Sequence, residues 1–468
     1  MTDGPAGAER HWLSIADAAR LIERRELSPV DLVDDCLARI EALDGRLNAF
    51  ITVLADEARV AAREAADEIA SGAYRGPLHG IPVALKDIFA VAGAPMTAGS
   101  LIFPGVVSAE DSEVTRRLRE AGAIVLGTLN LHEIALGATG VNPHTGSARN
   151  PWNTDRITGG SSSGAAAAVA AGLCFAAIGT DTGCSIRIPA ALCGIAGLKP
   201  TFGRVSRRGL LPLSWSLDHA GPLTRTVEDA AIVLRAIAGH DAGDPASSDA
   251  AVPDYGATLA DGVRGLRIGV PDRYFGDGLA ADVEAAFRAA LRQLEDLGAE
   301  VSEFSPPHTD EMPGAIAAIM LPEAFAVHQS AMRERPDDIG EDVRYRLELG
   351  AAYPAVEYIQ ALRFRELLVE AWREDVFGEI DLVATASSII AAPPIDQSDL
   401  STTFSLIRNA NPFNLLGTPA ISLPCGFTGD GLPIGLQLVG RWFDEATVLR
   451  AAHAYEGATD WHSRRPPL

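Results

Sequence analysis

Two serine-bearing turns and one lysine carry the residue types that nucleophilic chemistry needs. Gly-Gly-Ser-Ser-Ser-Gly spans 159–164 and Gly-Thr-Asp-Thr-Gly-Cys-Ser-Ile-Arg-Ile-Pro spans 179–189, with an alanine-rich run between them. Of the 39 basic side chains, only Lys86 and Lys199 are lysines. Arginine supplies a fixed positive charge but does not release its proton near neutral pH, so it cannot act as a base. Lys86, in Ile-Pro-Val-Ala-Leu-Lys-Asp, is therefore either a lysine because it must titrate or a remnant of an arginine-biased composition. The count alone does not choose between them.

A serine hydroxyl becomes a nucleophile when a neighbouring base takes its proton, and a lysine kept neutral by burial can be that base. Serine–lysine pairs are a variant of triad logic. A second serine between them can relay the proton, because a hydroxyl donates and accepts at once. The small residues of 179–185 let consecutive backbone N–H groups turn toward one point. A helix beginning near Ile186 and running to Leu192 would aim its positive end at the same place. Such donors stabilise an oxyanion by ~3 kcal/mol each. Two competing readings are weaker. A phosphate-binding loop lacks its Gly-Lys-Ser/Thr ending and has only Arg156 nearby. A Ser-His-Asp triad using His79, His132 or His144 lacks a Gly-x-Ser-x-Gly elbow.

The elements that must position these residues follow from patterning. The first seventy residues read as helical: Ser14 caps 15–23, Ser28-Pro29 opens a helix to about Leu43, and a third covers 55–70. From Pro77 short apolar strands alternate with helices. Strands are predicted at 81–85, 124–126, 175–178, 266–270, 301–304, 382–385, 421–423 and 436–439, and helices at 114–120, 227–238, 281–297 and 445–455. This alternation predicts an α/β protein, a single large domain with one extended, mixed and mostly parallel central sheet flanked by helices. Residues 241–256 read as a surface linker, and 305–350 as a surface excursion able to form a substrate wall. The stretch 157–180 is long and uncharged, but its Ala, Gly and Ser content predicts a buried helix and strand rather than a membrane span.

A net charge of −23 argues against nucleic acid or an anionic membrane as a direct partner. The first residues show no basic segment followed by an apolar run, which reads as cytoplasmic. Five cysteines without a C-x-x-C pair read as reduced, buried thiols and not as a zinc site.

With 76–87 (Gly-Pro-Leu-His-Gly-Ile-Pro-Val-Ala-Leu-Lys-Asp), 159–164, 179–189, 197–201 (Gly-Leu-Lys-Pro-Thr), 221–230 and 414–440 in this order, the chain resembles the amidase signature family over nearly its whole length. The resemblance implies Ser185 as nucleophile, Ser161 as bridging serine after a cis Gly160–Ser161 bond, and Lys86 as base. It implies oxyanion donors at the N–H groups of Thr182, Gly183, Cys184 and Ser185, with Ser162, Asp181 and Arg187 in support. No metal or organic cofactor is implied. Ser163 and Cys184 stand where many members carry glycine, and the Cys184 side chain is expected to point away from the site. The acyl pocket is expected near Ile134 to Gly140, with Ile134 and Gly137 binding substrate, and in the 305–350 and 385–410 regions. Phe325, Phe404 and Leu406 there lean toward an uncharged, hydrophobic substrate. The implied activity is hydrolysis of a small-molecule amide, ester or carbamate through an acyl-enzyme, with a homodimer as the expected state. The alternatives are the A subunit of a glutamine-dependent aminoacyl-tRNA amidotransferase and a non-catalytic scaffold of the same fold.

Overall fold

Serine caps open the first helices. In the computed structural model, which describes residues 10–103 and 105–468, the Ser14 hydroxyl accepts the Asp17 amide and starts Ile15–Glu23. Ser28 does the same for Val30 ahead of Pro29 and starts Pro29–Leu47, which ends on a left-handed Asn48. The third expected helix is Ala55–Ala70. The first seventy residues are nonetheless not all helical. The β-branched and aromatic Phe-Ile-Thr-Val segment forms strand β1 (Phe50–Val53).

The remaining strands are β2 (Pro82–Lys86), β3 (Ile124–Leu129), the short pair β4 (Arg149–Asn150) and β5 (Asn153–Ile157), β6 (Ala176–Asp181), β7 (Ala196–Lys199), β8 (His219–Thr224), β9 (Arg267–Pro271), β10 (Glu300–Phe304), β11 (Leu382–Ala386), β12 (Ala420–Phe427) and β13 (Pro433–Gly440). All except β4 and β5 join one 11-stranded sheet in the order β1-β3-β2-β6-β8-β7-β12-β13-β11-β9-β10. It is single and mixed, as expected, but not mostly parallel. Neighbours β2–β3, β2–β6, β9–β10 and β9–β11 run parallel, and the other pairs run antiparallel. One connection is too short for a crossover. β12 returns through residues 428–432 as β13, and β1, β7 and β8, which the apolar pattern did not predict, all pair antiparallel.

The uncharged 157–180 stretch is a buried helix, Ser163–Ala170, followed by buried β6. Its small residues allow close approach to neighbouring chain. A Cβ on Gly164 would overlap the Ala49 carbonyl oxygen and lie 2.5 Å from the Asn130 nitrogen.

Residues 241–254 are irregular but are not a free linker. Ion pairs Arg207–Asp244 at 3.1 Å and Arg208–Asp241 at 2.9 Å fasten them to the same domain. The 305–350 region is chiefly helical rather than an extended loop. It consists of Met312–Glu334, with Pro322 inside it, and the start of Glu341–Ala352.

Candidate functional site

Parallel pairing of β2 with β6 brings their C-terminal ends together, and with them Lys86, Thr180 and Asp181. After β6 the chain turns through Thr182–Ile186 into the helix Arg187–Cys193. The Ser161–Ser162 turn enters the Ser163–Ala170 helix beside it. The expected cis peptide is present at Gly160–Ser161.

Lys86 is fully buried, and its Nζ donates to Ser161 Oγ at 2.7 Å and to Thr180 Oγ1 at 2.8 Å. Burial lowers its pKa from 10.5 to about 7, with Asp218 and Asp181 opposing part of that shift. The lysine is therefore partly neutral near physiological pH. Ser162 links the two turns: its hydroxyl donates to the Thr180 carbonyl at 3.2 Å, and its amide donates to the Ser185 carbonyl at 3.3 Å. The Ser185 side chain is nearly buried, at 6% exposure. Among the described residues no hydrogen bond joins the Ser185 hydroxyl to that of Ser161.

Asp181 and Arg187 form a buried pair at 2.9 Å. Burial alone would raise the carboxyl, but Arg187, Lys199 and Asn414 hold it well below the usual carboxylate range. Asp181 Oδ2 also accepts the Ile186 amide at 3.0 Å, and Arg187 reaches Ala410 and Gln437 at 2.8 Å each. This brace fixes the turn. At Gly183 the turn passes close to the Asn411 side chain, whose Oδ1 would have to shift to admit a Cβ. Among the described residues, the N–H groups of Thr182, Gly183, Cys184 and Ser185 donate to no protein acceptor. They form a set of unspent donors at one turn.

Cys184 does not point away. Its sulfur lies 3.6 Å from the Gly160 carbonyl oxygen and 4.0 Å from Ser185 Oγ, in an apolar cluster with Ala138, Ile188 and Leu406. Burial pushes its thiol up to about 12, so it is no thiolate at neutral pH.

Residues 132–140 run alongside the serine turn: the His132 amide donates to the Ser161 carbonyl at 3.1 Å, and the Gly160 amide to the Ala138 carbonyl at 2.6 Å. Gly137 sits here, against the His132 ring. Ile134 is 1% exposed. Its side chain is buried in the main core while its backbone takes a left-handed turn at φ 44°. Phe404 is 68% exposed and Phe325 packs on the core, so of the three apolar residues only Leu406 joins the cluster around Cys184. A cavity of ≈ 630 Å³ opens between this loop and the 341–346 helical turn, lined by His132, Thr139, Val141, Tyr345, Arg346 and Thr403. A cavity of ≈ 660 Å³ lies at the opposite end of β3, far along the strands from Lys86.

The three histidines serve elsewhere. His79 faces Glu68 at 3.1 Å, His132 faces Asp342 at 3.3 Å, and His144 faces Glu133 at 3.0 Å. Thr180, Asp218, Asn414 and Gln437 escape the sequence reading. Thr180 lies inside the 179–189 motif and Asn414 and Gln437 inside the 414–440 motif, so each leaves a signal, whereas Asp218 leaves none.

An amidase family model matches residues 31–449. This chain belongs to the amidase family. It is 44% identical to an amidase of Pseudomonas putida, over 97% of this chain and 98% of the relative. It is 42% identical to the A subunit of the glutamyl-tRNA(Gln) amidotransferase of Chloroflexus aggregans, over 98% of this chain and 99% of the relative. Among solved structures, the native peptide amidase of Stenotrophomonas maltophilia superposes with a TM-score of 0.88 at 32% identity, covering 99% of both chains. The motifs quoted from the sequence are thus those of an amidase-family enzyme, of a kind that acts on carbon–nitrogen bonds, and its large mixed sheet is the family's architecture.

Proposed function

We propose that this amidase hydrolyses an uncharged small-molecule amide through an acyl-enzyme on Ser185. Neutral Lys86 accepts a proton through Ser161 as Ser185 Oγ attacks the carbonyl carbon. The developing oxyanion takes hydrogen bonds from the N–H groups at 182–185. The relay then returns the proton to the leaving amine, and water attacks the ester to release the acid. The observation that carries this reading is the buried Lys86, lowered to about 7 and bonded to Ser161 at 2.7 Å. The Ser161–Ser185 link closes when a carbonyl occupies the site, as catalytic hydrogen bonds commonly tighten in the complex. Ser162, Asp181 and Arg187 keep the two turns in register. The apolar surroundings of Cys184 support an uncharged acyl group, with esters and carbamates as further substrates. A cytoplasmic location agrees with five buried free thiols.

The test is Ser185→Ala together with a fluorophosphonate probe on the wild-type protein. Label on Ser185 and loss of amide hydrolysis in the variant are expected. An active Ser185→Ala protein, or an unlabelled Ser185, overturns the assignment. A second reading, the A subunit of a glutamine-dependent transamidation complex, is favoured by the 42% identity to a protein of that kind. Glutaminase activity and co-purification with other subunits would select it over a free-standing amidase. A scaffold role would require wild-type protein inert to both substrates and probe.

A further inference from the structure

Behind the nest of backbone amides lies a carboxylate that neither the relay nor the Asp181–Arg187 brace uses. Asp218 is buried at 4% exposure just ahead of β8, and its Oδ1 accepts the Thr182 hydroxyl at 2.6 Å. Its Oδ2 accepts the amides of Leu213 at 2.9 Å and Ser214 at 3.0 Å. Among the described residues it makes no ion pair. The 213–218 loop is in turn held by Glu323 from the Met312–Glu334 helix. That carboxylate accepts the Ser214 hydroxyl at 2.5 Å, the Ser216 amide at 3.1 Å and the Ser216 hydroxyl at 2.6 Å, and also the Tyr358 hydroxyl at 2.9 Å. A continuous set of hydrogen bonds thus runs from the inserted helices to the first residue of the nest.

We propose that Asp218 is a positioning residue for the amide-cleaving site: it anchors the Thr182 end of the nest and supplies the uncompensated negative charge against which Lys86 loses its proton, with Glu323 holding its loop in place. This role rests on the reading of Lys86 as the base.

The groups facing Lys86 are Asp218, Asp181 and Cys184. Asp181 is neutralised by Arg187 and accepts a hydrogen bond from Asn414, and burial keeps the Cys184 thiol protonated. Facing Asp218 are Thr182, the two loop amides and, at longer range, Arg207, which is already paired with Asp244. The adjacent His219 is held neutral by burial. Burial raises Asp218 itself to about 6, so it is largely anionic at pH 7 and above and loses its charge over the lower half of the range in which Lys86 titrates. An anion favours protonated lysine. Removing its charge therefore lowers the lysine further and moves the acid limb of activity to lower pH.

The experiment measures kcat and KM from pH 5 to 9 on a chromogenic anilide for wild type, Asp218→Asn, Thr182→Val and Thr182→Ser, with thermal unfolding as a check on each. Asp218→Asn should move the acid limb down by about one pH unit, the low end of what a nearby opposite charge does. Thr182→Val keeps the charge but removes the anchor. It should lower kcat about tenfold with KM and the acid limb in place, and Thr182→Ser should restore it. An acid limb in Asp218→Asn that stays put or moves upward overturns the proposal, as does wild-type kcat in Thr182→Val. If Asp218→Asn does not fold, the threonine pair decides. A wild-type acid limb that persists in Lys86→Met instead removes the base assignment on which the role of Asp218 rests.

Discussion

Replacing Lys86 by methionine tests the centre of the mechanism, because it keeps the buried volume of the side chain and removes only the titrating group. An ordinary lysine at 10.5 would be neutral in about one molecule in a thousand at pH 7.5, whereas Lys86 at about 7 is neutral in roughly three-quarters of molecules. Burial on the Lys86 strand end thus raises the supply of free base several hundred-fold. The sign of the pH dependence follows. The lysine works only when neutral, so kcat/KM is nearly full above about pH 8, half-maximal near pH 7 and down to roughly a tenth at pH 6, falling tenfold per unit below that. Lys86→Met should lose on the order of 10³-fold in kcat, within the range of general-base catalysis, and the residual rate should no longer follow the wild-type limb. Stopped amide hydrolysis on an anilide from pH 5 to 9 measures both. A wild-type rate that stays level from pH 8 down to pH 5, or a Lys86→Met enzyme retaining more than a tenth of kcat, refutes the reasoning.

Gly137→Ala would drive a methyl into the buried His132 ring, and since the His132 amide holds the Ser161 carbonyl, kcat should fall at least about tenfold alongside a stability loss of about 1–3 kcal/mol; an unchanged kcat would show that the loop yields freely. Asp181→Asn leaves the Arg187 guanidinium buried without its carboxylate, and urea denaturation should record a loss of about 3–5 kcal/mol. A loss under about 1 kcal/mol would mean that Asn414 and Gln437 suffice to hold it. Cys184→Ala should keep fluorophosphonate labelling of Ser185 within about tenfold of wild type, because a thiol raised to about 12 is no nucleophile. Complete loss of labelling would assign the chemistry to the sulfur.

What the sequence makes legible follows from how local each determinant is. Ser14, Ser28 and Pro29 act within three residues of themselves, and the helices they start begin where the sequence puts them. Lys86, Ser161 and Ser185 stand out because their motifs impose residue types that packing does not demand, and Lys86 and Ser161 do meet at 2.7 Å. Strand direction is not local. β7 and β8 are short, carry glycine and proline, and owe their place to pairing with β6 and β12, so neither their existence nor their antiparallel sense is written in their own pattern. The same limit governs the supporting charges. Asp218 stands 36 positions from Thr182, and nothing in its own segment distinguishes it from a solvated carboxylate; Asn414 stands 227 from Arg187, so its motif marks the segment but not the partner. The Cys184 side chain departs from expectation for a related reason. Alternation along a chain predicts opposite faces for neighbours, but a tight turn is not a strand, and here the Cys184 sulfur lies 4.0 Å from the Ser185 hydroxyl and against the Gly160 carbonyl. The apolar cluster beside Cys184 comes from residues 138, 184, 188 and 406 meeting in space. The serine and lysine motifs are therefore readable from local sequence, while the apolar surroundings of Cys184 are a property of the folded cluster.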